Sequence, residues 1–335
     1  MAKIVIIGNS AAGFSCCDTL LKNSQDAQIT VISREGYPAY KRNLLIDYLA
    51  GDIKEDGLFL CAPDFYEKNK IEFLRNSKVA RVDTKKQSVV LKDNNKMEPT
   101  LHLRRGGFSG RNTQAAFEPA PLRLRSINYD YLVIATGRKM ELPDLPGKTK
   151  EGIFTVCDLE DIKKIKERLT FYSEVCITGE AKLCLRLCEA ISRKDKDIKI
   201  VSKPRPDSFI PAEKREWIDN FELTEFIGES AELKAFKLNN GKAIGASLVL
   251  FAADFSPSTE FLKETEIKTI RGYLVVDDAM RTNFENIFAC GSVCRKEDSL
   301  ETEKSWEDAV NEGASVASGI ANLLERGKNI CQQTC

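Results

Sequence analysis

Two glycine-bearing turns, each set between a short apolar run and a helical stretch, limit the folds open to this chain. The first is GNSAAG at Gly8–Gly13. It follows the β-branched run Lys3–Gly8 (KIVIIG) and leads into Ala11 to about Lys22, where Ala, Phe, Cys and Leu recur at helical spacing. Gln28–Ser33 (QITVIS) then reads as a second strand. About 170 residues on, the pattern returns: strand Glu174–Gly179 (EVCITG), helix Ala181–Ser192, strand Ile198–Ser202. Two such strand–turn–helix–strand units predict an α/β protein with two Rossmann-like dinucleotide-binding domains, one inserted in the other. At 335 residues the chain is also too long for a single hydrophobic core. Further strands are expected near Lys78–Asp83, Ser88–Lys92, Tyr129–Ala135, Ser247–Ala253, Gly272–Asp277 and Asn286–Gly291. Helices are expected over Asn43–Ala50 and Ser305–Leu324.

Fifty basic residues balance fifty acidic ones, so no global field would draw the chain to nucleic acid or an anionic membrane. No apolar run reaches the roughly 18 residues of a membrane span, and no charged-then-apolar leader precedes Lys3. A cytoplasmic protein is expected. Eleven cysteines, an odd number, lie mostly inside apolar runs, which fits buried, reduced thiols rather than a disulfide framework. Pairs at Cys184/Cys188, Cys290/Cys294 and Cys331/Cys335 would share one face if helical, yet the C-x-x-C hairpin of thiolate metal sites is missing. No metal site is expected. The single histidine, His102, argues against Ser-His-Asp hydrolysis.

One segment departs from its surroundings. Met97–Ser126 holds five arginines and no lysine, and interrupts a place where a short hairpin turn would suffice. It reads as an insertion.

The strand–GNSAAG–helix context is that of a dinucleotide fingerprint. Gly8 permits the tight turn, Gly13 lets helix and strand approach, and the helix start offers free N–H groups to a pyrophosphate. Ser10 stands in place of the middle glycine, and Glu35 follows the second strand where a ribose hydroxyl would be held.

GNSAAG, REGYPAYKRNLLIDYLAG (Arg34–Gly51), YDYLVIATG (Tyr129–Gly137) and RTNFENIFACGS (Arg281–Ser292), in that order, resemble the pyridine nucleotide-disulfide oxidoreductases. The likeness is greatest to NADH:rubredoxin reductases and the flavin portion of NADH-dependent nitrite reductases, and it runs from Lys3 to about Leu324. It implies a glutathione-reductase-like fold: a discontinuous FAD-binding domain over 1–145 and 256–335, and an NAD(P)-binding-type domain over 146–255. It implies FAD held non-covalently through Gly8, Ser10, Ala12 and Gly13 at the pyrophosphate, and Glu35 at the adenosine ribose. Lys41 and Arg42 would lie beside the flavin phosphates and Val79 or Ala80 against the adenine. Ala135, Thr136 and Gly137 would form the domain crossover, and Gly291 the family's terminal Gly-Asp turn. The disulfide reductases of the family carry an active cysteine in the segment matching Tyr37–Leu45; this chain has none there. Relatives with an interface domain continue well beyond the Ser305–Leu324 helix, so the usual C-terminal dimerisation domain is expected to be absent.

Two departures stand out. Ser292 replaces the aspartate that accepts a hydrogen bond from the ribityl chain, exchanging a charge-assisted acceptor for a neutral one. In the second fingerprint Gly179 is kept, but Ala181 and Cys184 stand where glycines would admit a pyrophosphate, and Glu180 adds negative charge. Lys203 and Arg205 then replace the acidic ribose ligand and would favour the 2′-phosphate of NADP. Two main readings stay open, beside a lesser third, a cysteine-ligated electron carrier. One is an oxidoreductase passing electrons from NAD(P)H through FAD to a small redox protein or partner subunit. The other is a non-catalytic or accessory subunit whose NAD(P) site has decayed. No catalytic acid or base can be named.

Overall fold

A computed structural model describes residues 1–24, 27–92, 125–252, 255–297, 299 and 304–333, with backbone only for 327–333. The Met97–Ser126 insertion lies almost wholly outside these residues, as do His102, Cys335 and the side chain of Cys331.

Six helices are described: α1 (Ala11–Asn23), α2 (Leu45–Ala50), α3 (Phe65–Lys68), α4 (Leu159–Phe171), α5 (Ala181–Ser192) and α6 (Trp306–Gln333). The strand Ala2–Ile7 is central to a five-stranded parallel sheet ordered Ile287–Ala289, Tyr131–Ile134, Ala2–Ile7, Ala27–Ile32, Glu72–Leu74. Ile4, Val5, Ile6 and Ile7 are all buried, because helices cover both faces of such a sheet and continuous apolar runs replace alternation. The second parallel sheet is ordered Arg215–Ile218, Asp197–Val201, Glu174–Gly179, Leu248–Ala252, Ile153–Thr155. Strands from both ends of the chain thus share the first sheet, and the second sheet is built wholly from residues between them. The fold is two Rossmann-like units, one inserted in the other.

Antiparallel pieces complete each unit. Lys78–Asp83, Ser88–Lys92 and Arg125–Asn128 form one three-stranded sheet; Leu223–Glu229, Glu232–Leu238 and Ala243–Gly245 form another. Leu91 pairs with Arg125, so the chain leaves and re-enters this sheet at adjacent positions. Arg125 and Ser126 are therefore strand residues, and the end of the expected insertion is corrected to precede them. Two crossover strands, Arg138–Met140 and Phe255–Pro257, pair antiparallel between the parallel sheets.

The last helix is longer than the periodicity predicts, because helical backbone continues nine residues past Leu324 to Gln333. It lies along α1, and the contact is backbone against backbone: a Cβ at Gly313 would fall 2.2 Å from the carbonyl oxygen of Ala12. No helix among the described residues is long and apolar enough to cross a membrane.

Gly313 and Gly319 form an internal comparison, since a Cβ at Gly319 meets nothing within 4 Å. Gly313→Ala should lower stability by about 1–3 kcal/mol through overpacking. Gly319→Ala should raise it by roughly 0.5–1 kcal/mol through helix propensity. Thermal and urea denaturation of the two variants check both signs.

Candidate functional site

A cavity of about 760 Å³ opens where the two parallel sheets point their C-terminal ends at each other. It runs from the GNSAAG turn to the start of α5. Gly8, Ser10, Ala12, Glu35, Arg42, Val79, Ala135, Thr136, Gly137, Gly291 and Ser292 all line it. Lys41, Gly179, Lys203 and Arg205 do not, nor does Gly13. Its lining carries eight basic side chains and three acidic ones, although the whole chain is neutral. Such a wall suits an anionic ligand.

The GNSAAG end is built by exclusion of side chains. Gly8 has φ +111°, and a Cβ there would lie 2.1 Å from the carbonyl oxygen of Ala135. A Cβ at Gly13 would lie 2.0 Å from the carbonyl oxygen of Gly8. Gly13 is thus a packing glycine behind the cavity. Ser10 is the N-cap of α1 but makes no capping bond, so the first N–H groups of the helix stay free. Beside them the Asn9 Nδ2 is buried without a partner, while Asn9 Oδ1 accepts from the Tyr66 hydroxyl at 2.7 Å. The helix N–H groups and the Asn9 amide are thus unspent donors at the same wall.

Near the strand Lys78–Asp83 the register slips between Val79 and Arg81, leaving Ala80 as an extra residue. Val79 and Ala80, at this bulge, both line the cavity. Glu35 sits opposite, and its carboxylate is already engaged. Tyr40 donates to Glu35 Oε2 at 2.6 Å, and Arg42 forms an ion pair with Glu35 Oε1. Arg42 also donates to the Cys157 carbonyl at 2.8 Å, and the Tyr40 hydroxyl accepts from the Leu159 N–H at 3.0 Å. Burial pushes the Tyr40 hydroxyl well above the usual phenol range, so it remains a donor. Sequence reasoning found Glu35 and Arg42 singly; they join across seven residues, whereas the tie to the start of α4 spans 115 or more.

At the far end, the strand before α5 closes at Gly179, whose φ is +138° and whose carbonyl accepts from Ser202 Oγ at 2.6 Å. Glu180 is the N-cap without a side-chain capping bond, and it lines the cavity with Leu183 and Arg186. Cys184 does not behave as expected. It is fully buried beneath α5, so its side chain packs against the sheet and cannot obstruct a pyrophosphate. Lys203 is exposed and pairs with Glu222 at 2.7 Å, which spends its charge; Arg205 is exposed. Arg186 lies 4.0 Å from Asp47 of α2.

Nine described cysteines are free thiols. Burial raises the Cys17, Cys184 and Cys294 thiols to about 12, and it holds Cys16 and Cys290 well above the ordinary thiol range too. Cys290 and Cys294 do not share a helix face as the spacing suggested; they flank the Gly291 turn, and Cys294 opens a strand. Among the described residues no three His, Cys, Asp or Glu side chains gather as for a metal.

Comparison with known proteins decides the family. A sequence model of the pyridine nucleotide-disulphide oxidoreductases matches residues 2–313. The chain belongs to that family. It is 23% identical over 347 residues to the assimilatory nitrate reductase electron transfer subunit of Bacillus subtilis, covering 99% of this chain and 39% of that protein. It is 27% identical over 300 residues to the NADH-rubredoxin oxidoreductase of Clostridium acetobutylicum, covering 87% of this chain and 68% of that one. The putidaredoxin reductase–putidaredoxin complex superposes with a TM-score of 0.79 at 18% identity, covering 96% of this chain and 75% of that one. The likeness of fold thus exceeds the likeness of sequence. The chain spans well under half the length of the nitrate reductase subunit.

The start of α4 yields a pH prediction. Asp158 caps the helix by accepting from the Asp161 N–H at 2.9 Å, and Asp161 accepts from Thr155 at 2.6 Å. Burial first, and then the Asp158 carboxylate, raise the Asp161 carboxyl from 3.8 to about 6. A carboxyl with a raised folded-state pKa binds its proton more tightly when folded, so its ionisation costs stability as pH climbs from about 4 through 6. Asp161→Asn should therefore be more stable than the native chain by about 1 kcal/mol at pH 7.5, with the difference vanishing near pH 4. Urea denaturation at both pH values tests this.

Proposed function

We propose that the chain is a flavoprotein oxidoreductase in which FAD occupies the interdomain cavity, NAD(P)H reduces it, and electrons pass to a small redox protein or partner subunit. The observation that carries this reading is the continuity of one basic-lined cavity from the α1 start to the α5 start. On this reading residues 1–145 and 256–335 form the FAD-binding domain and 146–255 the NAD(P)-binding domain. The free thiols fit a reducing compartment, and we assign the chain to the cytoplasm.

The residues fit such a cofactor on three counts. Any Cβ at Gly8 would collide with the crossover turn. The Asn9 Nδ2 is a buried donor awaiting an acceptor. The uncapped α1 start favours negative charge. When bound, FAD supplies hydride acceptance and onward electron transfer. The protein supplies the rest. The α1 N–H groups, Ser10 and Asn9 would hold the diphosphate, and Glu35, steadied by Tyr40 and Arg42, would accept from the adenosine ribose. The Val79–Ala80 bulge would offer backbone groups to the adenine, and the Ser292 hydroxyl would meet the ribityl chain. Gly179, Lys203 and Arg205 would mark the nicotinamide dinucleotide, with Glu180 opposing its phosphates.

Purified protein should take up FAD and show the visible flavin spectrum, and anaerobic NADH or NADPH should bleach it. A preparation that stays colourless in excess FAD, with no shift in melting temperature, sinks the proposal. Ser292→Asp should tighten FAD by about 1 kcal/mol through a charge-assisted acceptor. Because Glu222 already neutralises Lys203, native discrimination between NADPH and NADH should be small. Glu222→Gln should shift the stopped-flow rate ratio toward NADPH by about threefold, which corresponds to the ~0.5–1 kcal/mol worth of an exposed ion pair.

A further inference from the structure

We infer that Lys304 and Glu312 act as a clamp that positions the Gly291–Ser292 turn for the cofactor, an inference that rests on the FAD reading above. Glu312 Oε2 accepts from the Gly291 N–H at 2.7 Å, and Lys304 Nζ donates to the Gly291 carbonyl at 3.3 Å. The two side chains pair with each other at 2.6 Å and are 14% and 21% exposed. One ion pair therefore takes both polar groups of Gly291, a residue held at φ +78°. The Lys304 ammonium also lies 3.6 Å from the Cys294 sulfur at the far side of the turn.

The clamp matters because Ser292 is the next residue in the chain. Ser292 lines the cavity, and its hydroxyl has no hydrogen-bond partner among the described residues. A serine cannot anchor itself as a carboxylate can, so the position of the turn depends on its neighbours. A hydrogen bond to a charged group is roughly twice as strong as a neutral one, and Gly291 has two of them. Lys304 is not needed to start α6. Ser305 and Asp308 cap that helix reciprocally, with bonds of 2.9 and 3.0 Å. Lys304 nevertheless turns back to Gly291 and reaches the cavity wall. Lys304 and Glu312 are thus positioning residues that act through the Gly291 peptide.

Apoprotein titrated with FAD, read by quenching of flavin fluorescence and by visible circular dichroism, tests the clamp. Lys304→Met leaves Glu312 without its ion-pair partner and leaves the Gly291 carbonyl only its bonds from Cys294; FAD should bind about tenfold more weakly, with an altered visible dichroism band. Lys304→Arg should stay within about threefold of the native affinity, because the guanidinium keeps both the charge and the donors. Native affinity and an unchanged dichroism band in Lys304→Met would overturn the inference. Should Lys304→Met fail to fold, Glu312→Gln decides, since it still accepts from Gly291 but no longer holds Lys304. A weaker, spectrally altered FAD complex supports the clamp, and an unchanged one overturns it. Native apoprotein that binds no FAD at all would instead remove the functional reading on which the clamp rests.

Discussion

Backbone meets backbone at three points around the start of α1, and the arrangement of the cavity depends on it. Gly8 lies against the Ala135 carbonyl, Gly13 against the Gly8 carbonyl, and Gly313 against the Ala12 carbonyl. Each approach leaves no room for a Cβ. Together they press α1 onto the end of strand Ala2–Ile7 and lock α6 behind it. The start of the helix is thereby driven to the cavity wall, with its N–H groups pointing outward. The same packing brings Ala12 within 3.1 Å of where a Cβ of Gly291 would be, so the terminal turn joins the same wall. A bulky residue at any of these glycines would displace the wall itself.

The long helices divide by how their starts are treated. The starts of α4 and α6 are capped, by Asp158 and by the Ser305–Asp308 pair. Those of α1 and α5 have no side-chain cap and meet the cavity, which the capped start of α6 also lines through Ser305 and Trp306. Leaving a cap unmade typically costs a helix about 1 kcal/mol, a penalty that a bound anion removes. Among the long helices the openness is thus confined to the two starts that follow Gly8 and Gly179. It is reinforced at α1 by an unpartnered Asn9 amide and opposed at α5 by the Glu180 carboxylate.

Much of this was legible in the sequence, for a local reason. Strand–turn–helix boundaries depend on residues within one turn of each other, so Glu174–Gly179 and Ala181–Ser192 match their observed bounds. The GNSAAG turn and the crossover glycine were legible because glycine is the residue that such geometry demands. What escaped was non-local. The strands Leu223–Glu229 and Glu232–Leu238 alternate weakly and are stabilised by pairing with each other. The direction of the Cys184 side chain follows from the helix face that meets the sheet, which the fingerprint spacing alone does not give. The Gly313 contact, the bonds of Tyr40 and Arg42 to the start of α4, and the bonds of Lys304 and Glu312 to Gly291 each join segments that the fold brings together. Gly313, a glycine inside an amphipathic helix, signals a close approach, but Gly319 in the same helix carries the same signal without a contact.

The two ends of the cavity differ in a way that bears on how two nucleotides would share it. At the first, glycine packing, free helix N–H groups and a buried amide donor all favour a diphosphate, and Glu35 is held in place by two neighbours. At the second, the helix start is equally open, but Glu180 opposes phosphate and the Lys203 charge is spent on Glu222. A resident cofactor gains from a site that releases it slowly. A reducing nucleotide must leave after each turnover, and lowered affinity there speeds release without loss of the fold that orients it. Tyr40 and Arg42 span the two ends, since the side chains that hold Glu35 also bond the backbone where α4 begins. Any ligand that draws Glu35 away from them would loosen that bond to α4. On the proposed reading, occupation of the first site is therefore felt at the second domain through two hydrogen bonds.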